Sequence, residues 1–214
     1  MFVKEKMTKN PITITVDDYV SLALDIFEEK KFHRLPVVDK SNHVIGIVTE
    51  DDVARNVPSK ATSLSIHEIN YLLNQTKIGD IMSKEVVTIC PDALLEEAAD
   101  VMIKSSHYAL PVVDNGFLVG IITEKDIFSS FIDLQGYYQS GTRLVVRIDN
   151  DRPGILRDIA TILSGSKINI THLVVERIDN QIRVVIRVDE TNSDKVVGLL
   201  KDEYNIIDVR TYKN

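Results

Sequence analysis

Thr49 and Asp52 stand three apart in Gly46-Ile47-Val48-Thr49-Glu50-Asp51-Asp52, and Thr123 and Asp126 stand likewise in Gly120-Ile121-Ile122-Thr123-Glu124-Lys125-Asp126. A hydroxyl and a carboxylate so spaced at a helix start form a capping box, which contributes about 1 kcal/mol with no ligand present. The same hydroxyl, beside free backbone N–H groups, can donate to an anion, and a carboxylate can accept from both hydroxyls of a cis diol. His33-Arg34 add two cationic side chains just before Leu35-Pro36. As solvated residues at a helix end they would suit the macrodipole. Catalytic chemistry finds little support. The 5 histidines are scattered, and no Ser/His/Asp or Cys/His arrangement positions a nucleophile. No cluster has metal-ligand spacing. A protein that is not an enzyme is expected.

These residues must be held by a folded scaffold. The 214 residues suggest two modest domains, and 44% hydrophobic against 27% charged residues is an ordinary globular balance. A net charge of −7 argues against nucleic acid as the main partner, yet allows one small anionic ligand held by a few local cations. No apolar run reaches the ~20 residues that cross a bilayer. Met1 to Asn10 shows no secretory core. The lone Cys90 excludes an intrachain disulfide and fits the reducing cytoplasm.

The scaffold is duplicated. Met7-Thr8-Lys9 returns 75 residues later as Met82-Ser83-Lys84, and Leu35-Pro36-Val37-Val38-Asp39 returns at the same shift as Leu110-Pro111-Val112-Val113-Asp114. One deletion changes the shift to 74, at which the two Gly-Ile-(Val/Ile)-Thr-Glu segments align. In each copy Asp17 or Asp92 is expected at a helix N-cap. Val20, Ala23, Leu24 and Phe27, or Leu95, Ala98, Ala99 and Met102, then mark the buried helical stripe. Two short strands and a second helix follow, so each unit reads βαββα and needs the other to cover its sheet.

Met-Thr, Ile-Thr-Ile, His-Arg-Leu-Pro-Val-Val-Asp and Gly-Ile-Val-Thr-Glu-Asp-Asp together resemble the CBS domain, and two in tandem resemble a Bateman module. The resemblance implies repeat 1 over 1–57, a connecting helical segment over 58–79 and repeat 2 over 80–133. It also implies adenine nucleotides in the clefts of a pseudo-twofold pair: AMP, ADP, ATP or a cyclic dinucleotide. By position, Thr49 and Thr123 would meet phosphate and Asp52 and Asp126 the ribose. Thr13-Ile14-Thr15 and Thr88-Ile89-Cys90 would lie along adenine. His33-Arg34 resemble the phosphate-binding pair of AMP-sensing members, with Lys60 as a further cation. Tyr108-Ala109 occupy the matching positions of copy two and cannot neutralise phosphate, so unequal clefts are expected.

After a linker over 134–141, strand, helix, two strands, helix and strand read as βαββαβ over 142–214. With Asp151-Arg152-Pro153-Gly154-Ile155-Leu156 and Ile168-Asn169-Ile170, this resembles the ACT domain, a ferredoxin-like regulatory module. The resemblance implies an amino acid received by the backbone around Gly154, Ile155 and Leu156, with Asp151 or Asn169 on its amino group. Pro153-Gly154 is equally a tight turn opening a helix. The domain order resembles the bacterial acetoin utilisation protein B-like family.

The expected architecture is therefore α/β (α+β), and the expected function a cytoplasmic, non-catalytic sensor. It requires no cofactor or metal, forms a homodimer, and acts in trans on a separate protein, with neither nucleic acid nor membrane as partner. A ligand-independent dimerisation scaffold for a metabolic enzyme is the alternative.

Overall fold

The computed structural model describes residues 1–56, 66–178 and 181–213. Lys60, the first part of the expected connector and the Asp179-Asn180 turn lie outside the described residues. The chain divides into two compact units, Met1–Phe128 and Ser129–Asn214.

The first unit runs α1 (Val3–Lys6), β1 (Thr8–Lys9), α2 (Val20–Lys30), β2 (Arg34–Val38), β3 (Val44–Thr49), α3 (Glu50–Asn56), α4 (Ile66–Leu73), α5 (Ile78–Ile81), α6 (Leu95–Ser105), β4 (Ala109–Asp114), β5 (Phe117–Thr123) and α7 (Glu124–Leu134). The division between the units falls inside α7. Hairpins β2–β3 and β4–β5 are antiparallel, each with a register shift at Val37/Val38 or Val112/Val113. The first expected strand of each copy shrinks to one parallel bridge, Ile14 to Val37 and Ile89 to Val112. Backbone bonds of 2.9–3.1 Å hold Ile14 and Ile89 there.

The opening segments are exchanged between the copies. Thr8 pairs with Ile121 of β5, and the equivalent Ser83 pairs with Ile47 of β3. Val3 and Met7 pack into the core of copy two around Leu95, Leu110 and Ile122. Ile78 and Met82 pack into the core of copy one around Val20, Leu35 and Val48. Each copy so completes the other's apolar core, and neither buries its sheet alone. Sequence repeats and packing units thus differ by their first nine residues or so.

This exchange corrects the expected caps. Asp17 and Asp92 are not N-caps; Tyr19 and Leu94 hold those positions in extended conformation. The first helical N–H groups are met by backbone of the other copy's opening segment, Val20 by Thr76 O (3.0 Å) and Leu95 by Met1 O (3.1 Å). A side-chain cap is unnecessary where a carbonyl already accepts. Asp17 and Asp92 instead accept Lys77 Nζ at 2.9 Å and Lys4 Nζ at 2.6 Å. The Lys77 ammonium holds the Asp17 carboxyl below its ordinary value.

The second unit continues β6 (Gly141–Ile148), α8 (Ile155–Gly165), β7 (Ile170–Ile178), β8 (Gln181–Val188), α9 (Ser193–Leu200) and β9 (Asn205–Tyr212). Its four strands form one antiparallel sheet in the order β7-β8-β6-β9. Alternate residues Leu144, Val146, Ile148, Val184, Ile186 and Val188 bury one sheet face against Ile159 and Leu163 of α8 and Val196 and Leu200 of α9. The βαββαβ order is the expected one. Asn192 caps α9 by accepting from Lys195 N at 3.2 Å.

Candidate functional site

A cavity of about 620 Å³ opens in the first unit and draws on both copies. Copy one supplies the C-terminal end of α2 and the start of β2: Lys30, Lys31, Phe32, His33 and Arg34. Lys31 ends α2 in left-handed conformation (φ 56°), turning the chain so that Phe32 and His33 reach the cavity before β2 begins. Copy two supplies Tyr108, Ala109, Thr123, Glu124, Lys125 and Asp126 from the start of β4 and the β5–α7 junction. Asn10, Pro11 and Ile12, after β1, complete the wall.

The β5–α7 junction is a working capping box. Thr123 N and Oγ1 both donate to Asp126 Oδ2, at 2.8 and 2.7 Å. Asp126 N donates back to Thr123 Oγ1 at 3.4 Å. Copy one repeats this at β3–α3: Thr49 N and Oγ1 donate to Asp52 Oδ2 at 2.9 and 2.7 Å, and Asp52 N returns a bond of 3.1 Å. Arg55 Nη2 reaches the other Asp52 oxygen at 3.5 Å. Capping orients both carboxylates whether or not a ligand is present.

His33 and Arg34 share the cavity with Thr123 and Asp126 of the other copy. Thr49, Asp52, Thr13, Thr15 and Thr88 do not line it. Arg34 stands opposite Thr49 in its own hairpin, yet its guanidinium lies over the ring of Tyr108 at 5.2 Å. His33 Nδ1 meets Glu50 Oε2 at 2.8 Å. The wall segment also moves two residues upstream of the expected one. Ile14 is in the core, Thr15 donates to Asp18 Oδ2 in a local turn, and exposed Ile12 faces the cavity instead. Lys30, Lys31, Phe32, Tyr108 and Lys125 were not foreseen. The Lys-Lys-Phe-His-Arg run was a signal available in the sequence.

The cavity lining is of mixed charge: Lys30, Lys31, Arg34 and Lys125 carry fixed positive charge, against Glu124 and Asp126. Thr123 and Asp126 bring hydroxyl, carboxylate and the start of α7, and Phe32, Tyr108 and Ile12 bring aromatic and apolar surface. Such a site can hold an anion, a polyhydroxylated ring and a flat apolar group together.

The CBS-domain family profile matches residues 3–59 and 78–133. The chain belongs to the CBS-domain family. An ACT-domain profile matches residues 142–203, so the order is CBS–CBS–ACT. The crystal structure of AcuB from Vibrio cholerae, whose name refers it to acetoin utilization, superposes on the chain with a TM-score of 0.54 at 28% identity, covering 64% of this chain and 95% of that one. CBSX2, solved in complex with AMP, matches with a TM-score of 0.53 at 27% identity over 62% of this chain and 97% of that one. An inosine-5'-monophosphate dehydrogenase of Nitrosopumilus maritimus is 36% identical over 122 residues, which are 56% of this chain but only 22% of that enzyme.

In the ACT domain, Gly154 precedes α8 with φ 95°, a conformation that favours glycine. Asp151 accepts both Arg177 Nη1 (3.3 Å) and Nη2 (3.4 Å). Asn169 N donates to Asp189 Oδ1 at 2.9 Å. Ile155 is in the core and Leu156 is exposed. Asp158, in the first turn of α8, is held below its ordinary value by hydrogen bonds from Arg157 and Arg152.

Proposed function

We propose that the CBS pair is a non-catalytic sensor of adenine nucleotides. The carrying observation is the cavity in which His33 and Arg34 of one copy face Thr123 and Asp126 of the other. Its volume of about 620 Å³ lies within the ~300–1,000 Å³ of small-molecule sites. The basic side chains take phosphate, Asp126 and Thr123 take the ribose edge, and adenine lies against Ile12, Phe32 and Tyr108. The AMP complex of the related CBSX2 supports this reading. Thr49 and Asp52, which keep the same capped geometry, would serve a second, less basic cleft.

Occupancy that bridges the copies would bias their arrangement, and the protein would pass this to a partner in trans as a cytoplasmic homodimer. An amino acid at the ACT loop of Asp151, Gly154, Ile155, Leu156 and Asn169 is a second input in the same reading. It rests on the start of α8, where Gly154 stands in left-handed conformation and no side chain caps the helix. Titration calorimetry with AMP, ADP, ATP, cyclic di-AMP and adenosine, on wild type and Asp126→Ala, tests the reading. A saturable heat that Asp126→Ala weakens is expected. Absence of heat with every ligand overturns it and leaves the scaffold alternative.

A further inference from the structure

The sheet face of the ACT domain turned away from its helices carries a line of three arginines and a histidine. His172 of β7, Arg187 of β8, Arg143 of β6 and Arg210 of β9 are directly opposite one another across all four strands. Like charges in such register repel, so an isolated sheet gains nothing by this row. Asp208 answers part of it, accepting Arg143 Nη1 at 3.1 Å and Arg210 Nε at 3.2 Å. Arg187 is left differently. It is only 6% exposed, its guanidinium lies 4.4 Å from the centroid of the Tyr212 ring, and it is paired with no carboxylate among the described residues.

Two further groups are unsatisfied on the same face. His172 Nδ1 and Arg183 Nε are buried without a hydrogen-bond partner. Arg183 lies two residues along β8 from Val185, and the valines Val174, Val185 and Val145 separate it from the cationic row. A cavity of about 360 Å³ opens here, lined by Arg143, Arg183, Arg210 and Tyr212 over Val145, with Glu176 and Asp208 at its walls. Three guanidiniums thus share this lining with two carboxylates. A desolvated guanidinium without a counter-charge is costly, and an orphaned Nε–H adds to the penalty.

We propose that this face is an oxyanion site and takes a compact dianion, either a dicarboxylate or a phosphate. Arg183, whose Nη2 donates to Gln181 Oε1 at 3.3 Å, would exchange that bond to offer Nε–H and an Nη of its planar fork to one oxyanion group, the geometry guanidinium uses for carboxylate and phosphate alike. Arg143 and Arg210, already oriented by Asp208, hold the other end. The site is separate from the Gly154 loop and stands whether or not the CBS cleft binds nucleotide.

The test is two-dimensional NMR of the full-length protein at fixed ionic strength, titrated with succinate, with inorganic phosphate, and with sodium chloride as control. The expected result is a saturating shift of the Arg183 Nε–H resonance and of the Val145 and Val185 amides with one of the two anions, identifying its class. Arg183→Gln and Arg143→Gln should each weaken that response about tenfold or more. The proposal is overturned if neither anion moves these resonances beyond the chloride control. It is overturned equally if both variants respond with wild-type affinity.

Discussion

The guanidinium of Arg34 lies over the ring of Tyr108, 5.2 Å from its centroid, and joins neighbouring positions of the two repeats across one cleft. Tyr108 stands where copy one has His33. The duplication therefore brings a cation and an aromatic ring together at a point where an undiverged pair would set two basic groups against each other. This cavity so has basic side chains and an aromatic ring in its lining.

Arg34→Ala should separate phosphate from nucleoside recognition. Charge-assisted hydrogen bonds to phosphate are worth about 1.5–3 kcal/mol, so AMP affinity should fall about tenfold to a hundredfold. Adenosine affinity should hardly change, because Thr123 and Asp126 are untouched. Calorimetry with both ligands checks this, and equal losses for the two would show that Arg34 acts on the fold.

Asp126→Ala and Asp52→Ala remove equivalent caps, each accepting the backbone N–H and hydroxyl of its threonine. Each should lower stability by about 1 kcal/mol in urea unfolding. Only Asp126→Ala should weaken AMP and adenosine binding in the cavity that holds Arg34, since Asp52 does not line it. Equal stability loss with unequal binding loss is the signature expected.

The periodicity of the sequence carries much of this fold. The hairpin strands follow from the apolar runs Leu35–Val38 and Val44–Val48 and their matches, and the βαββαβ order from the alternation in Leu144–Ile148 and Val184–Val188, because burial of such runs is a local property of the chain. Which copy shares a cleft with which does not follow. Thr8 against Ile121 and Ser83 against Ile47 are long-range pairings that no local pattern encodes, so the sharing of one cavity by His33, Arg34 and Asp126 is not legible from the repeat alone. The same exchange hid the helix starts, since Val20 and Leu95 take their acceptors from distant backbone and leave no capping side chain to read.

Asp39 gives a pH prediction at the seam between the hairpins. Its carboxylate accepts His43 N at 2.9 Å, Ser41 N at 2.8 Å and His43 Nδ1 at 3.1 Å, while the His43 ring stacks on Phe117 at 4.9 Å. These bonds, His43 N first, hold its pKa below the ordinary value of 3.8. A lowered folded-state pKa means the carboxylate stabilises the fold above about pH 4. That contribution is lost as pH falls from there through the folded value. Asp39→Asn should therefore flatten the stability–pH curve below about pH 4 and leave its shape above pH 5 unaltered, as read by urea midpoints across the range.

Gly46 and Gly120 are the points where the exchanged segments close on the hairpins. A Cβ on Gly46 would stand 2.4 Å from Met82 Sδ and 3.1 Å from Ser83 O; on Gly120 it would stand 2.4 Å from Met7 Sδ and 3.0 Å from Thr8 O. The thioether can swing away, but the carbonyl is fixed by its strand pairing, so each alanine should destabilise by about 1–3 kcal/mol through overpacking. Met82→Ala in the Gly46→Ala background removes the nearer clash and should cost less than Met82→Ala alone. A double-mutant cycle by urea unfolding measures that coupling. Additive losses would mean that Met82 is not seated on Gly46.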